Sequence, residues 1–218
     1  DTKDQTYFLY TLGQHELARA TFPIGSLTKS EVRDLARKRG LATSEKKDST
    51  GICFIGERPF KEFLSRYIPR NPGFIETQNG QRIGQHDGLA FYTLGQRRGL
   101  GVGGHRGTSG DPWYVIDKDL ERNALIVCQG RDHPLLYAAS LDIDDCHWIA
   151  GNPPLTPLRC GGKTRYRQPE QVCTLYALEE GRFRIDFEQP QWAPTPGQSL
   201  VLYDGELCLG GGVIQHHG

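Results

Sequence analysis

The rhythm of hydrophobic positions changes twice along the 218-residue chain. From Asp1 to about Glu57 it has the spacing of helices and loops. Val32, Leu35 and Ala36 recur so as to line one helix face. Thr28-Lys29-Ser30-Glu31 reads as a capping box that starts this helix, Leu27 and Val32 stand where a hydrophobic staple would, and Gly40 can end it in a left-handed conformation. An earlier helix is expected within Tyr7–Leu12 or His15–Ala20. From about Arg58 the pattern shortens. Phe60–Tyr67 predicts a short helix that stops before Ile68-Pro69. Gly73–Thr77 and Gln81–Gln85 then flank Asn79-Gly80, a hairpin signal because both turn residues tolerate positive φ. Trp113–Asp117 and Ala124–Cys128 alternate well enough for a second hairpin.

From about Arg131 almost everything has strand character. Leu158–Tyr166, Gln171–Leu178, Phe183–Phe187, Ser199–Tyr203 and Leu207–Ile214 are short β segments split by Pro, Gly or acidic turns. Such spacing predicts a small sandwich or a closed barrel. The fold class is therefore mixed and mainly β: a helical N-terminal portion, a small central β-rich domain and a C-terminal β-barrel.

Composition narrows the function classes. A hydrophobic fraction of 37% with 27 glycines and 13 prolines suits a turn-rich β protein of one or two domains. No apolar run is long enough for a transmembrane helix, so no membrane partner is expected, and no signal-peptide pattern precedes the first motif. Six cysteines at irregular spacing include no Cys-x-x-Cys, and no metal site is expected. Their mostly apolar settings fit a reducing, cytoplasmic compartment. Lys plus Arg balances Asp plus Glu at 26 each, which argues against a strong non-specific nucleic-acid binder. Three local basic clusters interleave with aromatics and glycines all the same: Arg58, Lys61, Arg66 and Arg70; Arg97, Arg98 and Arg106; Arg159, Lys163, Arg165 and Arg167. Each reads either as a solvated face or as one segment of an RNA surface.

The densest candidate chemistry lies in Lys46-Lys47-Asp48-Ser49-Thr50-Gly51-Ile52-Cys53-Phe54-Ile55-Gly56-Glu57. One thiol stands beside two ammonium groups, which favour the reactive thiolate. Gly51 lets the backbone turn closely. The same cysteine also reads as a small buried hydrophobe, a common fate of free thiols. Cys128, Cys146, Cys160, Cys173 and Cys208 sit inside strand patterns and read as core. The run from Gly99 to Gly107 is glycine-rich but lacks both a Gly-Lys-Ser/Thr ending and a strand-to-helix setting, so it is a poor phosphate loop.

Several of these words occur in a fixed order: Lys3-Asp4-Gln5-Thr6-Tyr7-Phe8-Leu9, Asp48 to Glu57, Thr93-Leu94-Gly95-Gln96-Arg97-Arg98-Gly99-Leu100-Gly101, Lys163-Thr164-Arg165-Tyr166-Arg167, Thr195-Pro196-Gly197-Gln198-Ser199 and Gly210-Gly211-Gly212. Together they resemble the tRNA-specific 2-thiouridylase family over essentially the whole chain. The resemblance implies residues 1–57 as the tail of an ATP-pyrophosphatase domain, 58–133 as the central domain and 134–218 as a barrel like those of elongation factors. The family's Ser-Gly-Gly-x-Asp-Ser phosphate loop and first catalytic cysteine have no counterpart here, so the chain is expected to be a C-terminal piece, inactive alone.

By the same resemblance, Cys53 is the catalytic residue that carries a persulfide, and a second cysteine releases the sulfur through a disulfide bond. Lys3, Asp4, Gln5, Arg165, Tyr166 and Gln198 contact tRNA. ATP, with magnesium, is the cofactor, held mainly outside this sequence. The partners are tRNA and a sulfur-relay protein that donates a persulfide. The physical chemistry agrees with these roles: Arg suits bidentate phosphate contacts, Tyr stacks on an unpaired base and Gln reads a base edge. Read without the resemblance, Asp4 suits a helix cap, Tyr166 a barrel residue and Gln198 a turn residue. The rival reading of the whole chain is a non-catalytic RNA-binding module on a translation-factor-like barrel.

Overall fold

The computed structural model describes residues 6–46, 63–103 and 110–215, which fall into two compact units. Residues 6–46, 140–189 and 196–215 belong to one unit, and residues 63–103, 110–139 and 190–195 to the other.

In the first unit, α1 (Thr6–Leu9) and α2 (Gln14–Leu17) are single turns, and α3 (Lys29–Lys38) is the long helix that the periodicity predicts. The capping box forms as expected. Thr28 N–H donates to Glu31 Oε2 at 2.7 Å, and Glu31 N–H donates to Thr28 Oγ1 at 3.4 Å. Gly40 ends the helix at φ 66°, where a side chain would be strained. Between residues 6 and 46 only Tyr7 and Tyr10 are buried. Short helices with so little apolar burial gain little from packing.

The barrel takes six strands. They are β5 (Tyr137–Trp148), β6 (Leu158–Lys163), β7 (Gln171–Ala177), β8 (Phe183–Trp192), β9 (Ser199–Asp204) and β10 (Leu207–Ile214). They close in the order β10-β5-β8-β7-β6-β9. Alternate residues fill the interior: Leu141 and Ile143 from β5, Cys173 and Leu175 from β7, Ile185 from β8, and Leu200 and Leu202 from β9 are all fully buried. Burying each Leu or Ile contributes about 1.5–3 kcal/mol. The twelve-residue β5 was not among the expected segments, because Asp142, Asp144 and Asp145 dilute its apolar signal. It is nevertheless an alternating strand, with its acidic residues directed away from the core positions.

Closure depends on β10, which pairs antiparallel with both β5 and β9 and shifts register in each ladder. A Cβ on Gly210 would collide with the His147 carbonyl, and one on Gly211 with the Leu200 carbonyl. One on Gly212 would lie 2.6 Å from the Asp144 carbonyl. The triple glycine is thus the only local sequence that lets two neighbouring backbones approach β10 this closely.

The second unit is a four-stranded sheet in the order β2-β1-β4-β3, from β1 (Gly73–Thr77), β2 (Arg82–His86), β3 (Trp113–Asp119) and β4 (Ala124–Gln129). Both predicted hairpins are present, but β1 and β4 run parallel, a pairing that neither hairpin signal reveals. In the first turn Gly80 alone adopts positive φ, at 77°, where both Asn79 and Gly80 were expected to be able to do so. One face buries Ile75, Ile83, Val115, Leu125 and Val127 beneath Leu89, Tyr92 and Leu100. The other carries Tyr114 and Cys128 under Leu136 and Ala193, with Trp192 against Tyr114 at 6.3 Å.

Gly211→Ala should lower barrel stability by about 3 kcal/mol, the upper range for overpacking, because backbone rather than a side chain must yield. Gly103→Ala, with no atom within 4 Å of the added Cβ, should change it by less than about 0.5 kcal/mol. Urea unfolding of the two variants checks the contrast.

Candidate nucleic-acid interface

Three remote stretches of chain meet at one end of the barrel unit. The first is α1. Tyr7 and Tyr10 lie three residues apart and so face the same way. Both are 8% exposed, and they form a cluster with Val201 and Tyr203 against which Tyr166 and Cys208 pack. The second is the connection from β6 to β7. Thr164 is buried, and its N–H and hydroxyl both donate to Gln168 Oε1, at 3.1 and 2.8 Å. This closes a turn that presents Arg165, Tyr166 and Arg167, the last at φ 69°. The third is the turn before β9. Gly197 N–H donates to the Ile214 carbonyl at 2.9 Å, and Ile214 N–H donates to the Gln198 carbonyl at 2.8 Å.

Aromatic rings and cations converge here. Phe8 lies 4.6 Å from Tyr166 and 5.4 Å from Tyr7, centroid to centroid. The Arg167 guanidinium stands 5.4 Å over the Tyr166 ring, and the Lys163 ammonium 4.4 Å over the Tyr203 ring. Burial pulls the Arg165 guanidinium below its usual range, opposed by the Tyr7 hydroxyl beside it. Burial pushes the Tyr7 hydroxyl up to about 12, with Tyr10 adding to the rise and Arg165 opposing it. Gln198 Oε1 is buried and has no hydrogen bond among the described residues. Arg159 pairs with Glu188 at 2.7 Å and Lys163 with Glu170 at 3.6 Å, so part of this basic cluster is internally neutralised.

Of the residues singled out from the sequence, Arg165, Tyr166 and Gln198 are thus placed in this one unit. Lys3, Asp4, Gln5 and Cys53 lie outside the described residues. Lys46, at the start of the cysteine segment, accepts a hydrogen bond on its carbonyl from Arg33 at 3.3 Å. Sequence reasoning missed Tyr7, Tyr10 and Ser199. The i, i+3 spacing of the two tyrosines was a visible signal, but their partner lies about 190 residues away. In the second unit, Gly99, Gly101 and Gly103 line an open cleft with Arg97, Trp113 and Gln129. The next described element after this stretch is strand β3.

All five described cysteines are free thiols. Burial pushes Cys128 up to about 11. Burial, with Asp144 and Asp145 adding, pushes Cys146 up to about 12. Cys160 and Cys173 oppose each other across β6 and β7 with their sulfurs 3.8 Å apart. Cys173 is pushed up by its hydrogen bond to Cys160 and then by burial. Among the described residues no group of three or more His, Cys, Asp or Glu is arranged to hold a metal, and no helix is long and apolar enough to cross a membrane.

Three known families match successive stretches of the chain. Residues 1–57 match the family described as the tRNA methyl transferase HUP domain. Residues 61–129 match the tRNA methyl transferase PRC-barrel domain, and 138–214 the aminomethyltransferase beta-barrel domain. The tRNA-specific 2-thiouridylase MnmA of Methylobacillus flagellatus is 58% identical over 213 residues, covering 98% of this chain and 59% of that protein. The proteins of the same name from Vibrio cholerae and Bordetella pertussis are 56% and 59% identical, again over 98% of this chain, and 57% and 59% of their own lengths are covered. The chain belongs to the tRNA-specific 2-thiouridylase family, and it spans somewhat under two thirds of the length of these relatives.

Alkylation of the native chain at graded pH should leave Cys128, Cys146 and Cys173 unmodified well above the ordinary thiol value of 9.0. Peptide mapping that found any of them labelled early would contradict the burial assigned to them. Tyr7 gives a second test. The unfolded chain releases this proton from pH 10.0 upward, the folded chain only near 12. The stabilisation linked to this proton is therefore fully present below pH 10 and is lost as pH rises from 10 towards 12. Tyr7→Phe should flatten that fall in urea titrations across this range.

Proposed function

We propose that this chain is part of an enzyme that thiolates the wobble uridine of tRNA at C2, with the barrel end helping to hold the RNA. The observation that carries the reading is the convergence of Arg165, Tyr166 and Gln198 beside α1, the helix that directly follows Lys3, Asp4 and Gln5. Guanidinium, stacked rings and a side-chain amide are the groups that recognise an unpaired, splayed-out nucleotide. A zero net charge with one local cationic and aromatic face favours a specific RNA over indiscriminate binding. The relatives' name supports tRNA as that substrate.

In this reading Cys53 takes a sulfane sulfur from the persulfide of a donor protein. The terminal sulfur then forms the new carbon–sulfur bond at the base, and the sulfur–sulfur bond to Cys53 breaks as a second thiol joins Cys53 in a disulfide. ATP, with magnesium, supplies the activation that makes the uridine oxygen a leaving group, in the longer protein rather than in the described residues. The division at 57/58 and 133/134 and a cytoplasmic location belong to the same proposal. This chain by itself is expected to bring no ATP-dependent thiolation.

Intact-mass analysis after incubation with a persulfide donor tests the cysteine. One added sulfur is expected, reversed by reductant and absent in Cys53→Ser; equal uptake by the variant would sink the assignment. Arg165→Ala should weaken binding of an unmodified tRNA transcript about tenfold, the scale of one lost guanidinium contact. Sulfur-free Cys53 together with undiminished RNA binding would favour the non-catalytic RNA-binding module.

A further inference from the structure

The two tyrosines of the barrel end are spent on a single residue. Tyr7 Oη donates to the Ser199 carbonyl at 2.7 Å, and Tyr10 Oη shares a hydrogen bond with Ser199 Oγ at 2.9 Å. Thr6 Oγ1 and Tyr203 Oη, 3.3 Å apart, add a third link between the same helix and β9. Ser199 is the residue after Gln198. The backbone on its other side is already tied to the end of β10 through Gly197 and Gln198. The Gln198 turn is therefore held from two directions, by a closing strand of the barrel and by Tyr7 of α1 with Tyr10 just beyond it, 192 and 189 residues earlier in the chain. Neither tyrosine is itself well placed to meet RNA, since both are 8% exposed.

Resting on the RNA reading above, we infer that Tyr7 and Tyr10 are positioning residues for recognition. Through Ser199 they hold the Gln198 turn in one position at the barrel end. The Gln198 turn then meets the RNA already fixed beside Arg165 and Tyr166. A ready-made surface pays less ordering cost on binding than one assembled around the ligand. Geometry explains why both rings are needed. Tyr7 holds the Ser199 main chain and Tyr10 its side chain, so rotation about that residue is stopped at both points.

The test is equilibrium binding of an unmodified tRNA transcript with a wobble uridine to the whole chain, comparing Tyr7→Phe, Tyr10→Phe, Gln198→Ala and each Phe variant combined with Gln198→Ala. Each Phe variant should bind about fivefold more weakly, the worth of one hydrogen bond. The saturating amplitude and the salt dependence should be unchanged, because no phosphate contact and no folded population is lost. In the double variants the losses should not add, since the tyrosines act through Gln198. Additive losses, a reduced amplitude, or unaltered binding in the Phe variants while Gln198→Ala weakens it would each overturn the inference and leave the RNA reading standing. If Gln198→Ala and Arg165→Ala both bind like the parent, the RNA reading fails and the positioning role falls with it.

Discussion

The barrel unit depends on a close approach of backbones that only glycine permits. Strand β10 lies between β5 and β9, and at Gly210, Gly211 and Gly212 a side chain would strike the carbonyls of His147, Leu200 and Asp144. Closing a sheet in this way removes its edges and lets alternate residues of every strand share one interior. It also decides what stands outside. Ile214, two residues past the glycines, fixes the backbone of Gly197 and Gln198, and the next residue receives Tyr7 of α1 and Tyr10 just beyond it. A strand that met its neighbours less closely would move the turn with it.

Around this anchor the chain arranges cations and rings without making a strongly basic surface. Lys163 and Arg159 are partly matched by Glu170 and Glu188, while Arg165 is drawn into a half-buried position beside Tyr7. A guanidinium without full hydration is better disposed to bind an anion or a base edge than one spread into solvent. Specificity of this kind comes from where few groups stand, not from how many charges there are. The neutral overall balance is consistent with that design.

The cysteines make the complementary point. The five thiols that the structure describes are set in strands; burial raises Cys128 and Cys146 away from the reactive range, and the hydrogen bond to Cys160, followed by burial, raises Cys173. The reading of these residues as core came from alternation alone, and burial agrees for Cys128, Cys160 and Cys173, whereas Cys146 and Cys208 are only half-buried. Nothing in that alternation distinguishes Cys160 and Cys173 from the others, yet they face each other across a ladder. Pairing across strands is set by register, and register is a property of two segments at once.

Local physics made much of the molecule legible in advance. The capping box at Thr28, the left-handed stop at Gly40, both hairpins and most barrel strands follow from forces that act within a few residues: side chain against neighbouring amide, glycine at positive φ, alternation across a pleat. Arg165, Tyr166 and Gln198 were picked out by residue type and by the ordered words around them. Tertiary structure alone decided the parallel pairing of β1 with β4, the strand β5 hidden by its aspartates, and the meeting of Tyr7 and Tyr10 with Ser199. Each of those joins residues that are distant in the chain. Their contact energy is realised only after the barrel or the sheet has brought them together, so no stretch read by itself carries the information.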